Sequence, residues 1–428
     1  MRIVTLLLVC MAIAPAQIPP DERYKADILL IVAHPDDETA VSAYLARALF
    51  DEHRRISVIF GTRGDGGGNA EGNEQAASLG AVREIEGRRA LGSWGIANVW
   101  FLNGPDTPGQ DVLRSLETWN HGATLAQVVR LVRLTRPETI LTWLPDYVAG
   151  ENHGDHQAAG VIATEAFDLA GDPTAFPEQL AAPRNRLDIS NLTEGLHAWQ
   201  PKKLYYFSDA SHTEFQEGKG PRYEATAYAK RAAEEMAFHL TQSDTGQVAK
   251  AALAKGDLKD FQEPVRLILG KSLVGGVVTG DVFSGVAPGP IPFAASRGYR
   301  ASQRSGVWME LGGPWAFYRM FWPAHNLDQM NALLPLPEVS IGGTQKLSVA
   351  ILLHNDTGSA HEVSLTMGEQ EVGRYTVPAH ETFTVQTSGG PFKGGSGWQE
   401  VIWKATVEGA AVEPVRLRVD VGAPGLPQ

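Results

Sequence analysis

The sequence has almost no cysteine and no concentrated positive charge. Its 428 residues include one cysteine, Cys10, which lies inside a predicted leader, so the mature chain would have none. Such a chain can form neither disulfides nor thiolate metal sites, and any bound metal must be held by His, Asp or Glu. The net charge is −12 and no lysine–arginine block occurs. This charge balance argues against nucleic acid or an anionic membrane as the main partner.

Nucleotide-binding glycine motifs are also missing. The glycine-rich stretch at residues 63–73 contains neither the P-loop pattern nor the dinucleotide-binding glycine pattern. We therefore do not expect this stretch to bind a nucleotide phosphate, and a flexible turn is the alternative interpretation.

The first residues have the features of a secretory signal peptide. Arg2 precedes an apolar run at residues 3–13, and residues 14–16 have the Ala-x-Ala form of a cleavage site. The run is too short to span a bilayer comfortably. We therefore predict a signal peptide at residues 1–16, cleaved near Ala16. The mature protein would be secreted or periplasmic and would have no transmembrane segment, with an uncleaved anchor as the alternative.

Strands and helices alternate between residues 26 and 207. Apolar runs predict the strands, and a 3.6-residue periodicity predicts helices between them. The predicted strands are residues 27–33, 56–62, 99–102, 139–143 and 204–207. Such alternation is typical of an α/β fold with a mainly parallel sheet and helices on both faces.

The length of the chain and changes in its composition suggest further units. A first domain is predicted at residues 22–245, and an extension packed on it at residues 246–335. Aromatic residues cluster at 308–322, where they could stack on sugar rings or form core between domains. Residues 336–422 alternate apolar and polar side chains between glycine-rich turns. This pattern predicts a C-terminal immunoglobulin-like β-sandwich, a fold that does not reveal its ligand.

Two clusters of histidine and aspartate follow predicted strands. His34 and Asp37 lie three residues apart after the first strand, and His153 and His156 follow the fourth strand. In a parallel sheet both clusters lie at the edge where ligands bind. Two imidazoles and one carboxylate with an open fourth position form a catalytic zinc set. The alternative is that the acids only cap helices, as Asp37 and Asp155 could.

The residues beside this metal set suggest a hydrolytic reaction. Zinc lowers the pKa of a bound water to about 7. Asp36 is adjacent to a predicted ligand and could accept the proton of that water as a general base. His153 could stabilise an oxyanion, with Asp155 orienting the ring.

The two clusters resemble the PIG-L (LmbE-like) N-acetylglucosaminyl deacetylases. Residues 33–38, Ala-His-Pro-Asp-Asp-Glu, and residues 153–156, His-Gly-Asp-His, carry the resemblance, which covers about residues 26–245. It implies a Rossmann-like three-layer α/β/α fold and a divalent metal, usually Zn²⁺. Members of this family remove acetyl groups from glucosamine conjugates or related amides.

The resemblance also implies a role for each residue of the two motifs. The metal ligands of the family match three residues of this chain, His34, Asp37 and His156. Asp36 matches the general base, His153 the histidine that stabilises the oxyanion, and Asp155 the acid beside it. One departure is the glycine after His153, where proline is common in the family.

Three further residues are expected to bind substrate. Arg63 and Asp65 lie in a stretch that resembles the family's loop after the second strand, which borders the substrate pocket. Arg83 and Glu84 resemble an arginine–glutamate pair on the next helix, and a solvated helix face is the alternative interpretation. Residues 239–243 resemble a late element that contains His, Ser and Gln.

The leading hypothesis is a secreted, zinc-dependent hydrolase that removes the acetyl group from an N-acetylglucosamine-type sugar or conjugate. Another divalent metal could replace Zn²⁺. Two alternatives stay open: a metal-dependent amidase or esterase with a non-sugar N-acyl substrate, and a non-catalytic glycan-binding protein. The sequence does not determine the oligomeric state.

Overall fold

The structure, a computed structural model, describes most of the chain. The described residues are 21–148, 153–180, 195–208, 220–295, 304–333, 336–342, 345–389 and 396–422. The predicted signal peptide at residues 1–16, with Cys10, lies outside them. Within these ranges, no helix is both long and apolar enough to cross a membrane.

A six-stranded sheet forms the centre of the N-terminal half. The strands in chain order are β1 Ile28–Val32, β2 Ile56–Thr62, β3 Val99–Gly104, β4 Thr139–Trp143, β5 Lys203–Phe207, the short β6 Arg222–Tyr223 and β7 Val265–Arg266, and β8 Ile268–Ser272. The sheet order is β3-β2-β1-β4-β5-β8, whereas β6 and β7 pair with each other. Strands β1 to β5 are parallel, and β8 is antiparallel to β5. The predicted mainly parallel sheet is therefore confirmed.

Helices pack on both faces of this sheet. The helices of the described residues are α1 Ser42–Phe50, α2 Ala76–Ser93, α3 Val112–Thr118, α4 His121–Thr135, α5 Gly154–Leu169, α6 Ala229–Met236, α7 Thr245–Lys255 and α8 Pro314–Ala324. Successive side chains of a strand point to opposite faces. Accordingly, Leu29 and Ile31 belong to the buried cluster that contains Ile162 of α5, whereas Leu30 belongs to the cluster that contains Leu45 of α1. The result is a three-layer α/β/α arrangement.

The strand order determines where the chemically active residues meet. The chain passes from β1 to β2 on one side and later returns to β4 on the other, so β1 and β4 are neighbours. In open α/β sheets, ligands bind beyond the carboxyl ends of the strands where the order reverses in this way. Residues that follow β1 and residues that follow β4 are therefore adjacent at this edge.

The C-terminal half contains two β-sheets that share one hydrophobic core. Its strands are β9 Val307–Leu311, β10 Glu338–Ile341, β11 Leu347–Asn355, β12 His361–Met367, β13 Gln370–Val377, β14 Thr382–Gly389, β15 Gly397–Val407, β16 Ala410–Ala411 and β17 Val415–Val421. One sheet has the order β10-β17-β15-β12-β13, with β16 paired to β15, and the other β14-β11-β9. Leu353, Leu365 and Trp403 contribute to the shared core. The immunoglobulin-like topology of these sheets stays a prediction.

The predicted extension at residues 246–335 is divided between the two halves. β8 extends the parallel sheet, whereas β9 pairs with β11 of the C-terminal half. β9 therefore falls on the other side of the boundary predicted at residue 336, because long-range pairing decides to which sheet a short strand belongs. The boundary predicted near residue 245 stays a prediction.

Helix α8 carries most of the predicted aromatic cluster and joins the two halves. Tyr318, Phe321 and Trp322 belong to the core beside the parallel sheet. The hydroxyl of Tyr318 donates a hydrogen bond to Oε1 of Gln157 at 2.8 Å. Trp315, on the same helix, packs against the core of the C-terminal half. Of the two interpretations of this cluster, core between the halves is the one that these contacts support.

Candidate active site

Asp37 lies at the corner that follows β1. Its Oδ2 accepts hydrogen bonds from the backbone N–H of Ala33 at 2.8 Å, that of His34 at 2.9 Å and Nε1–H of Trp143 at 2.7 Å. These donors fix the carboxylate, and its Oδ1 faces Nε2 of His156 at 3.1 Å and Nδ1 of His34 at 3.5 Å. Burial favours a raised pKa for Asp37, but the two histidines hold that pKa well below its usual value.

His156 comes from the second corner, which follows β4. Helix α5 begins at Gly154, so His156 lies in its first turn. The His156 ring stacks on the indole of Trp143, with 4.2 Å between ring centroids and 5° between the ring planes. Trp143, the last residue of β4, therefore supports two predicted ligands, since it also donates to Asp37.

Gly154 has packing reasons to be glycine rather than the proline common in the family. Its N–H donates to the carbonyl of Gly109 at 2.8 Å, and proline has no N–H to make this bond. A Cβ atom at this position would lie 2.8 Å from Oγ of Ser115 in α3. The departure from the family pattern thus follows from the close approach of α5 to α3.

The three predicted metal ligands come together in the structure. One donor atom each from His34, Asp37 and His156 lie within 4.8 Å of one another. Two imidazole nitrogens and one carboxylate oxygen are a donor set that suits zinc and related divalent metals. On Asp37 the donor is Oδ1, because Oδ2 already accepts three hydrogen bonds. These residues therefore fit the metal that the sequence predicts.

The second ring nitrogen of His34 faces two carboxylates. Its Nε2 lies 3.4 Å from Oδ1 of Asp106 and 3.5 Å from Oδ2 of Asp155. A carboxylate behind a metal-binding imidazole fixes the orientation and tautomer of the ring. Burial acts to raise the pKa of Asp106, but the charge of His34 keeps that pKa below its usual value. Sequence reasoning missed Asp106, although an acid just after the predicted third strand was a usable signal.

Asp155 does not orient His153 in the predicted way. The Asp155 carboxylate contacts His34 and accepts the backbone N–H of Thr107 at 2.8 Å. His153 is the N-cap of α5, so its Nδ1 instead accepts the backbone N–H of Asp155 at 3.3 Å. Burial and the nearby His34 lower the pKa of His153 to about 4. His153 is therefore a neutral ring at pH 7, with its hydrogen on Nε2.

Asp36 lines the same cavity as the three predicted ligands. Its Oδ2 accepts a hydrogen bond from Oγ1 of Thr245, at the start of α7, at 3.3 Å. Burial, together with the charge of Asp37, raises the pKa of Asp36 to about 6. A raised pKa makes this carboxylate a better proton acceptor than an ordinary aspartate.

Arg83 holds the glycine-rich loop that forms part of the cavity wall. Its guanidinium donates to the carbonyls of Gly64 at 2.5 Å, Gly66 at 3.0 Å, Gly68 at 2.7 Å and Thr241 at 3.1 Å. The cavity has a volume of about 1080 Å³, and Arg83 is among the residues that line it. Arg83 thus lies where the sequence predicts, but these hydrogen bonds are made to the protein backbone.

The structure does not place Arg63 and Asp65 on the cavity wall. Arg63 is about half exposed and pairs with Glu84 at 3.1 Å. Oδ1 of Asp65 accepts the backbone N–H of Asp106 at 2.9 Å. Neither residue is among the described residues that line the cavity. The prediction that they contact substrate is therefore not supported, because the loop directs them toward α2 and the loop after β3.

Comparison with known proteins supports the predicted family. Residues 29–167 match the family model PIG-L: GlcNAc-PI de-N-acetylase. The chain is 31% identical over 166 residues to 1D-myo-inositol 2-acetamido-2-deoxy-alpha-D-glucopyranoside deacetylase of Geodermatophilus obscurus, which covers 35% of this chain and 56% of that protein. It is 28% identical over 216 residues to the enzyme of the same name from Rhodococcus erythropolis, covering 44% of this chain and 73% of that protein.

Among solved structures, the chain is similar to N,N'-diacetylchitobiose deacetylase from Pyrococcus horikoshii. The sequence identity is 15% and the TM-score 0.41, over 57% of this chain and 84% of that chain. The chain spans about half the length of the first curated relatives that it matches. The predicted resemblance is confirmed for one part of the chain: residues 29–167 form a PIG-L family domain.

Proposed function

We propose that this chain is a metal-dependent hydrolase that removes the acetyl group from an N-acetylglucosamine-type amino sugar or its conjugate. One observation carries the proposal: His34, Asp37 and His156 converge beside Asp36 at one wall of a 1080 Å³ cavity. The named activity of the relatives, deacetylation of an acetamido-deoxy-glucopyranoside, indicates the substrate class. The combination of site and relatives favours an amide of an amino sugar over other N-acyl compounds.

The proposed metal is Zn²⁺, although other divalent metals share this preference for nitrogen and oxygen donors. It would be held by Nδ1 of His34, Oδ1 of Asp37 and Nε2 of His156. When bound, such a metal supplies Lewis acidity, which makes an amide carbonyl a better electrophile and water a stronger acid.

The side chains around this set perform the proton transfers. The Asp36 carboxylate takes a proton from the attacking water, and Thr245 holds one of its oxygens in place. Nε2–H of His153 donates a hydrogen bond to the carbonyl oxygen of the substrate as that oxygen gains negative charge. The leaving amine then takes the proton that Asp36 has accepted, since the neutral ring of His153 has no acidic proton to give. Asp106 and Asp155 act behind His34 and keep its ring in one orientation.

Acetate release from defined substrates tests this proposal. The zinc-loaded protein is incubated with N-acetylglucosamine, its glycosides and simple N-acetyl amines, and acetate and free amine are quantified. We expect release from the amino sugars, and none after chelation. Equal acetate release from the simple N-acetyl amines would favour the alternative, an amidase with a non-sugar substrate. Bound metal with no acetate release from any substrate would contradict the proposal.

Two further properties belong to this proposal. We infer that residues 1–16 direct secretion, because their composition is that of a signal peptide. The two C-terminal sheets would form an immunoglobulin-like sandwich that acts as a spacer or binding module. N-terminal sequencing of the exported protein tests the cleavage site near Ala16.

A further inference from the structure

A second group of ionisable side chains is buried behind the candidate active site. It consists of Glu38, which follows Asp37, Glu235 of α6, and His239, which follows that helix. The exposed fractions of their side chains are 1%, 0% and 0%. The proposed hydrolysis uses none of these three residues, so their burial needs another explanation.

The spacing of their donor atoms is that of a metal site. Nε2 of His239 lies 3.0 Å from Oε1 of Glu38 and 3.6 Å from Oε1 of Glu235, and one donor atom from each residue lies within 4.8 Å of the others. Donors at tetrahedral positions around zinc, with bonds of about 2.0–2.1 Å, are roughly 3.3 Å apart. The observed distances bracket this value, as do the distances of 3.1 and 3.5 Å at the candidate active site.

The hydrogen-bonding state of the group also indicates a missing partner. Within the part of the chain that the structure describes, Nδ1 of His239 makes no hydrogen bond, and Nε2 of His239 is the one side-chain nitrogen that pairs with either glutamate carboxylate. The His239 ring is completely buried and directed at both carboxylates. Buried polar groups are normally satisfied, and buried charges are paired or bind metals.

The charge of the group points in the same direction. Two buried carboxylates face a single imidazole, which is the one ionisable nitrogen group beside them among the described residues. No lysine or arginine among the described residues forms an ion pair with either glutamate. A divalent cation would neutralise both carboxylates at once and would use the neutral form of His239.

We infer that Glu38, Glu235 and His239 form a second divalent-metal site, of the zinc class, with a structural role. The site offers three donor atoms from the protein, one nitrogen and two oxygens. None of these three described side chains lines the cavity of the candidate active site, so a bound ion would be shielded from substrate and would act structurally. The bound ion would fasten the corner after β1 to α6, and with it the backbone that carries Asp36 and Asp37.

Metal counting tests this site independently of any catalytic activity. Purified protein is loaded with Zn²⁺, freed of excess metal by gel filtration and analysed by mass spectrometry for zinc per chain. We expect two zinc ions in the unchanged protein and one in each of two single variants, Glu235→Gln and His156→Ala. The matched control is Glu234→Gln on the same helix, which is 51% exposed and pairs with Lys230, and which should keep both ions.

A second measurement leaves the proposed site unaltered. X-ray absorption on zinc-loaded His156→Ala should show one remaining ion with one nitrogen neighbour and otherwise oxygen neighbours. A single ion in the unchanged protein that Glu235→Gln retains, or a His156→Ala protein that is folded and free of zinc, would overturn the inference. If the unchanged protein binds two zinc ions but releases no acetate, the proposed function is contradicted and the inference of a second metal site still stands.

Discussion

The two halves of this chain arrange their buried ionisable side chains differently. In the α/β half, every residue of β1 and β4 is buried, and ionisable groups such as Asp37, Asp155 and His156 are buried where those strands end. In the C-terminal half, alternate residues of β11 are buried, and the buried carboxylates of Glu310 and Glu338 pair with His354 and Arg418. Burying charge costs free energy unless a partner compensates it. The contrast therefore lies in arrangement, because the buried ionisable groups of the first half converge on one site, whereas those of the second half form ion pairs between its strands and helix.

The largest effect should come from removing a metal ligand in the α/β half. His156→Ala should prevent binding of the proposed metal and reduce acetate release on the order of 10³-fold or more, since Lewis acidity contributes several kcal/mol. The matched change His361→Ala, in β12 of the C-terminal half, should leave activity unchanged. Similar losses from both variants would abolish the contrast between the halves. Initial rates of acetate release, with bound zinc measured alongside, decide between these outcomes.

The next largest effect should come from Asp36→Asn. The variant keeps the proposed metal ligands but lacks the carboxylate that is proposed to accept a proton, so we expect a loss of about 10²–10⁴-fold in kcat with metal content unchanged. Asp420→Asn in β17 is the corresponding change in the other half and should have no effect. Full activity of the Asp36 variant with metal bound would exclude the assigned role.

Truncation of the apolar core in the C-terminal half should lower stability and leave activity unchanged. Leu365 is completely buried in the shared core of the two C-terminal sheets. Leu365→Ala should lower the free energy of unfolding by about 2–5 kcal/mol, through lost burial and a cavity. Denaturant unfolding gives this value, and the metal content and kcat of the folded variant should match those of the unchanged protein. A loss of metal in this variant would show that metal binding in the α/β half depends on the packing of the C-terminal core.

Arg83→Lys should have a moderate effect confined to the cavity. Lysine keeps the positive charge but cannot span the four carbonyls that the guanidinium binds, so the glycine-rich loop loses support. Loss of about 1–2 kcal/mol of charged hydrogen bonding would raise KM roughly 10-fold, with a smaller change in kcat. Steady-state kinetics on an N-acetylated sugar measure both, and an unchanged KM would contradict the role of Arg83 in shaping the wall.

The smallest effect should come from Arg63→Ala. Arg63 pairs with Glu84 at the surface and does not line the cavity, so the change removes an exposed ion pair worth about 0–1 kcal/mol. We expect KM and kcat close to those of the unchanged protein. A large rise in KM would restore the sequence-based prediction that this side chain contacts the substrate.

The positions of the buried strands along the chain could be predicted from the sequence, because short apolar runs between helical segments are typical of strands in a parallel sheet. The runs at residues 27–33 and 139–143 predict β1 and β4, and the rule for parallel sheets then places His34, Asp37 and His156 at one edge. The position of these three residues can be predicted without knowing the direction of their side chains, because the corners that follow β1 and β4 both lie at that edge.

The remaining features depend on contacts that local sequence does not encode. Trp143 reads as one more apolar residue of a strand, yet its indole N–H reaches Asp37. Arg63 and Asp65 lie in the predicted loop, but the path of that loop decides which side chains face the cavity. β9 is a short strand whose partner, β11, lies about 40 residues further along the chain, a pairing that periodicity does not reveal.

The double role of Trp143 has a consequence for how this site can change in evolution. One indole donates to Asp37 and stacks on His156, so the two ligand positions share a single support. Substitutions at Asp37 and His156 should then be epistatic, because a change at either position alters how well the indole of Trp143 orients the side chain at the other. A lineage that exchanges one ligand would have to alter Trp143 as well, and the three positions would drift as one unit or not at all.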